Sequence, residues 1–335
     1  MSGPSPTQRV LSPADVADYV RASLGPDRGV AACGPLTGGG YAAVWWVRLD
    51  DGREVVLKVA PPPAVPLLRY ERGLAAAEAR YFRLAATHAP GVPVPPVLHH
   101  GVHPRLGEWL VTGRLPGRSL SDLASSGVDG GRARYDFGTA LATVHRVTGD
   151  RFGYDDGRTG GSTWAEAFAA MIEDLLADAA DWRVPVPVER IRSAVRLHRR
   201  LLDQVRRPAL VHFDGWDGNV LAEPDGDGPY RMCGLVDGER YLFGDPMVDL
   251  VSPLLLRRAE DEPDHPFLRG YAAATDDPPV FDAGLRRRLG LYRMHLYLLM
   301  IVEMPSRGMT PASHPDRHDG LARLLDEELT ALSHD

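Results

Sequence analysis

Apolar and polar positions alternate differently in the two parts of the chain. Ser12-Pro13-Ala14-Asp15 combines a cap serine, a first-turn proline and an acid three residues on. This predicts a helix start, and Gly25-Pro26 stops that helix after Leu24. Val44 to Leu49 and Val55 to Val59 are strand formers on either side of Asp51-Gly52, a hairpin-turn signal. Gly38-Gly39-Gly40 precedes this hairpin, and Lys58 lies near the end of its second strand. Helical spacing of Leu and Ala returns over 67 to 87, until Pro93, Pro95 and Pro96 forbid it. Val97-Leu98 and Trp109-Leu110-Val111 read as short strands.

Beyond Leu115-Pro116-Gly117 the spacing is mainly helical, over 134 to 146, 163 to 181, 189 to 206 and again from 247 onward. Short strands interrupt it at 209 to 212, 220 to 221 and 233 to 236. The pattern predicts an α+β chain. A small antiparallel-sheet lobe covers 1 to 111, a hinge 112 to 117, and a larger helical lobe 118 to 335.

Charge narrows the partners. A formal net charge of -7 gives no long-range attraction to nucleic acid or an anionic membrane. No run reaches the roughly 18 apolar residues of a membrane span. The first residues lack the apolar stretch of a signal peptide, and Cys33 and Cys233 are too few for a disulfide framework. The expectation is a cytoplasmic protein; oligomeric state is not legible. Of 38 basic residues 37 are arginine, Lys58 is the sole lysine, and Asn219 is the sole asparagine. Where ordinary surface positions do without lysine and asparagine, each exception is a candidate for work that arginine or aspartate does not do.

That work is suggested by the residues around them. Asp214 and Asn219 lie five apart in His212-Phe213-Asp214-Gly215-Trp216-Asp217-Gly218-Asn219, between strand-like runs, and Asp237 follows another strand. Two carboxylates and an amide oxygen suit phosphoryl transfer, in which catalysis is mainly positioning and electrostatics. Asp237 offers magnesium a hard anionic oxygen and Asn219 a neutral one. Asp214 is left to orient an acceptor hydroxyl and take its proton. Lys58 suits the phosphates of a nucleotide, and Glu78, on the following helix, is the candidate partner for its charge. The three glycines allow backbone to close over phosphates, although no Gly-Lys-Ser or Gly-Lys-Thr follows as in a P-loop.

In this order the motifs resemble the aminoglycoside phosphotransferase family, and more broadly the protein-kinase-like small-molecule kinases that include choline and fructosamine kinases. The likeness runs over about residues 30 to 305. It implies a two-lobed protein-kinase-like fold with ATP in the crevice. It further implies Asp214 as base, Asn219 and Asp237 as magnesium ligands, Lys58 with Glu78 and the Gly38 to Gly40 turn on the nucleotide, and backbone of Thr112, Gly113 and Arg114 against adenine. His212, Asp245 and Asp249 would support the loops. Phe213 departs from the family's usual glycine, so its turn must accept a large side chain.

The acceptor side carries less signal. Asp217, Glu239 and Glu303 are acids that could face the acceptor, and Trp216 could stack on a sugar. An acidic wall would favour a cationic small molecule, hence an aminoglycoside or related amino sugar and a resistance role. A small neutral pocket at Trp216 would favour a metabolic sugar, ketosamine or nucleoside-type kinase. A catalytically silent kinase-like binding protein is the third possibility, against which the full set of Lys58, Asp214, Asn219 and Asp237 argues.

Overall fold

A computed structural model describes residues 5–36 and 38–334. The lead-in residues 1 to 4 lie outside the described part. Helix α1 (Pro13–Leu24) begins with a reciprocal cap: Ser12 Oγ accepts from the Asp15 amide, and the Asp15 carboxylate accepts from the Ser12 amide at 2.8 Å. It covers one face of an antiparallel sheet made of β1 (Val30–Pro35), β2 (Ala43–Leu49), β3 (Glu54–Val59), β4 (Val97–His103) and β5 (Gly107–Gly113), ordered β1-β2-β3-β5-β4. Strand side chains alternate between faces. Val55, Leu57 and Val59 are buried with Val16, Tyr19 and Val20 of α1, so Lys58 is turned to the other face. There it meets α2 (Leu74–His88), on which Leu74, Glu78, Tyr81 and Ala85 share one buried stripe at helical spacing.

This helix starts later than the spacing from residue 67 suggests. Gly73 takes a left-handed φ of 74°, and the residues before it make only a 3-10 turn, Arg69–Glu71. Strands β4 and β5 are longer than their apolar cores indicate, because hairpin pairing recruits polar His99, His100 and Glu108.

The remainder contains β6 (Arg118–Ser119), α3 (Leu120–Ser125), α4 (Gly131–Val144), β7 (Phe152–Gly153), β8 (Gly160–Gly161), α5 (Trp164–Asp181), α6 (Val188–Leu197), α7 (Arg199–Leu202), β9 (Ala209–Val211), β10 (Val220–Pro224), β11 (Tyr230–Leu235), β12 (Leu242–Gly244), α8 (Pro266–Ala274), α9 (Ala283–Val302) and α10 (Pro315–Ala331). Two small sheets, β11-β10-β6 and β8-β7-β12-β9, lie among the helices. Helix α9 is apolar nearly all round and runs through the core from Leu289 to Leu299. The helix expected over 189 to 206 is broken at His198, whose imidazole turns inward to donate to the Leu332 carbonyl at 3.0 Å. The stretch after 247 is not yet helix. Pro253 and Pro263 interrupt it, and it forms 3-10 turns until Pro266. Among the described residues no helix is long and apolar enough to cross a membrane.

Three strand ends now converge. Strand β9 delivers residue 212, β10 begins directly after Asn219, and β11 delivers Asp237. The amide of Val236 donates to the Asn219 carbonyl at 3.0 Å, which fixes the two loops side by side.

Candidate active site

Lys58 Nζ donates to Glu78 Oε1 and to Asp237 Oδ1, each at 2.6 Å. The ammonium thus ties the small sheet, α2 and the end of β11 into one node. Glu239 joins it, since carboxylate oxygens of Glu78, Asp237 and Glu239 all lie within 4.8 Å of one another. Burial would lower the lysine pKa, but the charges of Asp237 and Glu78 prevail and raise it. Burial opposes ionisation of Asp237 too, and Lys58 overcomes it, so this carboxyl sits below its usual value. Glu239 lacks such a bond. Burial, then the charge of Asp237, pushes it up to about 8. Between these acids Gly238 is required, because a Cβ there would lie 2.1 Å from the Tyr81 ring.

The loop carrying Asp214 is clamped from below. The buried carboxylate of Asp249 accepts from the amides of His212 at 2.8 Å and Phe213 at 2.7 Å, and pairs with His145 Nε2 at 3.0 Å. These bonds hold Phe213 at a φ of 69°, the left-handed region that glycine enters freely. Its ring is buried and stacks on His295, centroids 5.1 Å apart. Glycine is thus replaced by a phenylalanine whose ring packing offsets the backbone strain. His212 donates from Nε2 to the Val236 carbonyl at 3.0 Å, and burial lowers its pKa. The imidazole thereby ties the two loops together. Asp245 accepts from Tyr292 at 2.6 Å, Arg288 at 3.0 Å and the Met247 amide at 3.0 Å, and so anchors the segment after β12 to α9.

Asn219 Nδ2 donates to the Asp214 carbonyl at 2.8 Å. A carbonyl only accepts, so the amide orientation is forced and Oδ1 is left for another partner. Asp237 is about one-third exposed, and Lys58 contacts one of its oxygens. Asn219 Oδ1 and the Asp237 carboxylate, on loops joined by the Val236 amide, are hard oxygens of the kind that suits a magnesium ion. Asp214 lies close enough to Asp237 and Lys58 to feel both charges; burial raises its pKa, and the nearby charge of Arg240 offsets this in part.

The remaining candidates are placed as follows. The Gly38 to Gly40 turn is held from outside by the chain's first described residues: Thr7 Oγ1 donates to the Gly40 carbonyl at 2.7 Å and Gln8 Nε2 to the Gly39 carbonyl at 3.0 Å. Gly38, at a φ of 120°, needs to be glycine. At the hinge, the amides of Gly113 and Arg114 are spent on the Pro96 and Glu54 carbonyls at 2.9 and 3.1 Å, and Thr112 is paired on both sides in the sheet. Trp216 folds back over Gly218, where a Cβ would lie 2.2 Å from its ring, so it packs on its own loop.

The three acids named as able to face an acceptor each have neighbours in the structure. Asp217 is bound by Arg134 of α4. Glu239 faces the Lys58 node. Glu303 is bound by Arg240 at 2.9 Å and by the Tyr70 hydroxyl. Arg240 was not legible as a site residue, being one arginine among 37. Folding sets its Nε 3.6 Å from Asp214 Oδ2, so that one guanidinium bridges Asp214 and Glu303. Its only sequence signal is its place three residues after Asp237.

The model of the phosphotransferase enzyme family matches residues 33–287. The chain belongs to that family. A Thermobifida fusca protein designated a fructosamine-3-kinase is 24% identical, with a TM-score of 0.60 over 93% of this chain and 98% of that one. A thermostable mutant of aminoglycoside phosphotransferase APH(4)-Ia, in ternary complex with AMP-PNP and hygromycin B, has a TM-score of 0.63 at 17% identity over 96% and 99%. The streptomycin-ATP-APH(2")-IIa ternary complex gives 0.59 at 15% over 95% and 99%. No curated protein sequence matches. This phosphotransferase therefore has the two-lobed, α+β, protein-kinase-like fold of small-molecule kinases.

Proposed function

We propose that this phosphotransferase moves the terminal phosphoryl group of ATP, with magnesium, onto a hydroxyl of a sugar-like small molecule. The carrying observation is the node of Lys58, Glu78 and Asp237 with Asp214 and Asn219 on the adjoining loop. Lys58 would meet the phosphates, and the Gly38 to Gly40 turn would cover them. Magnesium, held by Asn219 Oδ1 and Asp237, would supply positive charge to the phosphate oxygens. The acceptor oxygen attacks the terminal phosphorus as the bond to the bridging oxygen of ADP breaks, and its proton passes to the Asp214 carboxylate. A silent binding protein has no use for this complete set.

The hygromycin B, streptomycin and fructosamine relatives span two acceptor branches, amino-sugar antibiotics and ketosamines. The first reading was built on Asp217, Glu239 and Glu303 as an acidic wall. The arginine partners of Asp217 and Glu303 weaken that support, and we favour a metabolic sugar acceptor. Asp214→Asn should lower kcat by about 10²-fold or more while AMP-PNP binding in calorimetry stays within about threefold of wild type. Unchanged turnover would remove Asp214 from the role of base.

A further inference from the structure

The residues before α1 form a strap along the glycine turn. Gln8 Nε2 donates to the Gly39 and Ala42 carbonyls at 3.0 and 3.1 Å, and its Oε1 accepts from the Ser5 amide at 3.0 Å. Both amide hydrogens and the oxygen are used, so the orientation of this side chain is set. Thr7 is fully buried, and its hydroxyl donates to the Gly40 carbonyl at 2.7 Å. Its one hydrogen is spent there, so Ser5 Oγ donates to it at 3.1 Å. The strap is itself held at both ends. Arg9 Nε donates to the Ala60 carbonyl just past β3 at 3.0 Å, and Pro6 packs on Gly308, where a Cβ would lie 3.1 Å from the proline ring.

Arg307 steadies the same turn from the end of α9. Its guanidinium lies 5.4 Å from the Tyr41 ring centroid and pairs with Glu71, and a Cβ on Gly40 would lie 3.2 Å from its Cδ. The Tyr41 hydroxyl donates to the Glu71 carbonyl at 2.8 Å. Glycine loses more freedom on ordering than any other residue. Here that loss is met on folding, which leaves less of it to oppose a ligand.

In a trans peptide the carbonyl and the following N–H point in opposite directions. Capture of the Gly39 and Gly40 carbonyls therefore turns the Gly40 and Tyr41 amides away from the strap. Among the described residues, neither amide donates to another backbone group. Neighbouring N–H groups aimed the same way suit an anion.

We propose that Thr7 and Gln8 are positioning residues for the nucleotide: by holding the carbonyls of the glycine turn they aim the Gly40 and Tyr41 amides at its phosphates. This rests on the kinase reading above and adds to it two residues outside the Lys58 node.

The test uses the full chain and measures binding of magnesium AMP-PNP and of adenosine, which lacks phosphates. Thr7→Val keeps the shape and removes the hydroxyl, and Gln8→Met removes both amide donors. Each should weaken AMP-PNP by about fivefold to tenfold while adenosine stays within about twofold. Thr7→Ser should restore most of the affinity. Hydrogen exchange should show the amides of Gly40 and Tyr41 protected by AMP-PNP in the unaltered chain and less so in Thr7→Val. Unchanged AMP-PNP affinity in both variants would overturn the proposal and leave the kinase reading standing. So would equal losses for AMP-PNP and adenosine, since the strap would then support the sheet as a whole. If Thr7→Val does not fold, Gln8→Met decides between these outcomes. Failure of the unaltered chain to bind magnesium AMP-PNP at about 5 mM would remove both readings.

Discussion

The two ends of the cleft solve the problem of buried charge in opposite ways. At the nucleotide end, one compact ammonium serves three carboxylates, of which Glu78 and Asp237 are bonded to it and Glu239 is not. Burial there, and then the charge of Asp237, pushes Glu239 up to about 8. Around Asp214, planar guanidinium groups stand against the carboxylates, Arg240 between Asp214 and Glu303 and Arg307 on Glu71. A lysine is a point charge that several anions can share, whereas an arginine fork bridges two groups in fixed directions. The first arrangement leaves a carboxylate unbonded, and the second sets an arginine beside each carboxylate named.

The largest break in this contrast should come from Lys58→Met. It strands a fully buried Glu78 beside Asp237, and losing one partner of a buried pair costs about 3 kcal/mol or more. A lower Tm together with lost nucleotide affinity is expected. A stable variant with normal AMP-PNP binding would mean the ammonium does not organise this end.

Phe213→Gly probes the floor under both ends. Relief of the left-handed backbone is worth about 1 to 2 kcal/mol, but deleting a buried phenylalanine ring costs about 3 to 5 kcal/mol. The variant should therefore be destabilised by about 2 kcal/mol in chemical denaturation, although glycine is what the dihedral prefers. A more stable variant would show that the stacking on His295 contributes little.

Arg240→Gln sharpens the contrast at Asp214. Burial already raises this carboxyl, and Arg240 is the first influence against it. Removing the guanidinium should raise the pKa further, so the acidic limb of the kcat/KM profile should move to higher pH by up to about one unit. An unmoved limb would show that the pair at 3.6 Å carries no electrostatic weight.

The smallest effect concerns Glu239. Its folded pKa of about 8 lies above the ordinary value near 4.5. The folded state binds a proton that the unfolded chain has lost between those values, so stability falls as pH rises through that window. Glu239→Gln should flatten that slope in thermal unfolding between pH 5 and pH 8, and an unchanged slope would place the titration elsewhere.

How far the sequence alone carried these conclusions differs between the two ends for a physical reason. Lys58 and Asn219 stood out because each is the single residue of its type, and Asp214, Asn219 and Asp237 lie in short loops at strand ends, where local spacing and strand pairing bring them together. Alternation along β3 already turned Lys58 away from the α1 core, and helical spacing already aligned Glu78 with Leu74 and Tyr81. Two-state patterning could not place the start of α2, which depends on Gly73, nor the break at His198, which depends on a bond to Leu332. Around Asp214 the sequence named Glu303 but neither its partner Arg240 nor Tyr70. Glu303, Arg240 and Tyr70 come from three separated segments, and a carboxylate is the same letter whether it waits for a cation or already has one. The order of chemical groups, and with it the phosphotransferase family, was written in the chain. Which acids remained free was decided only when folding chose their partners.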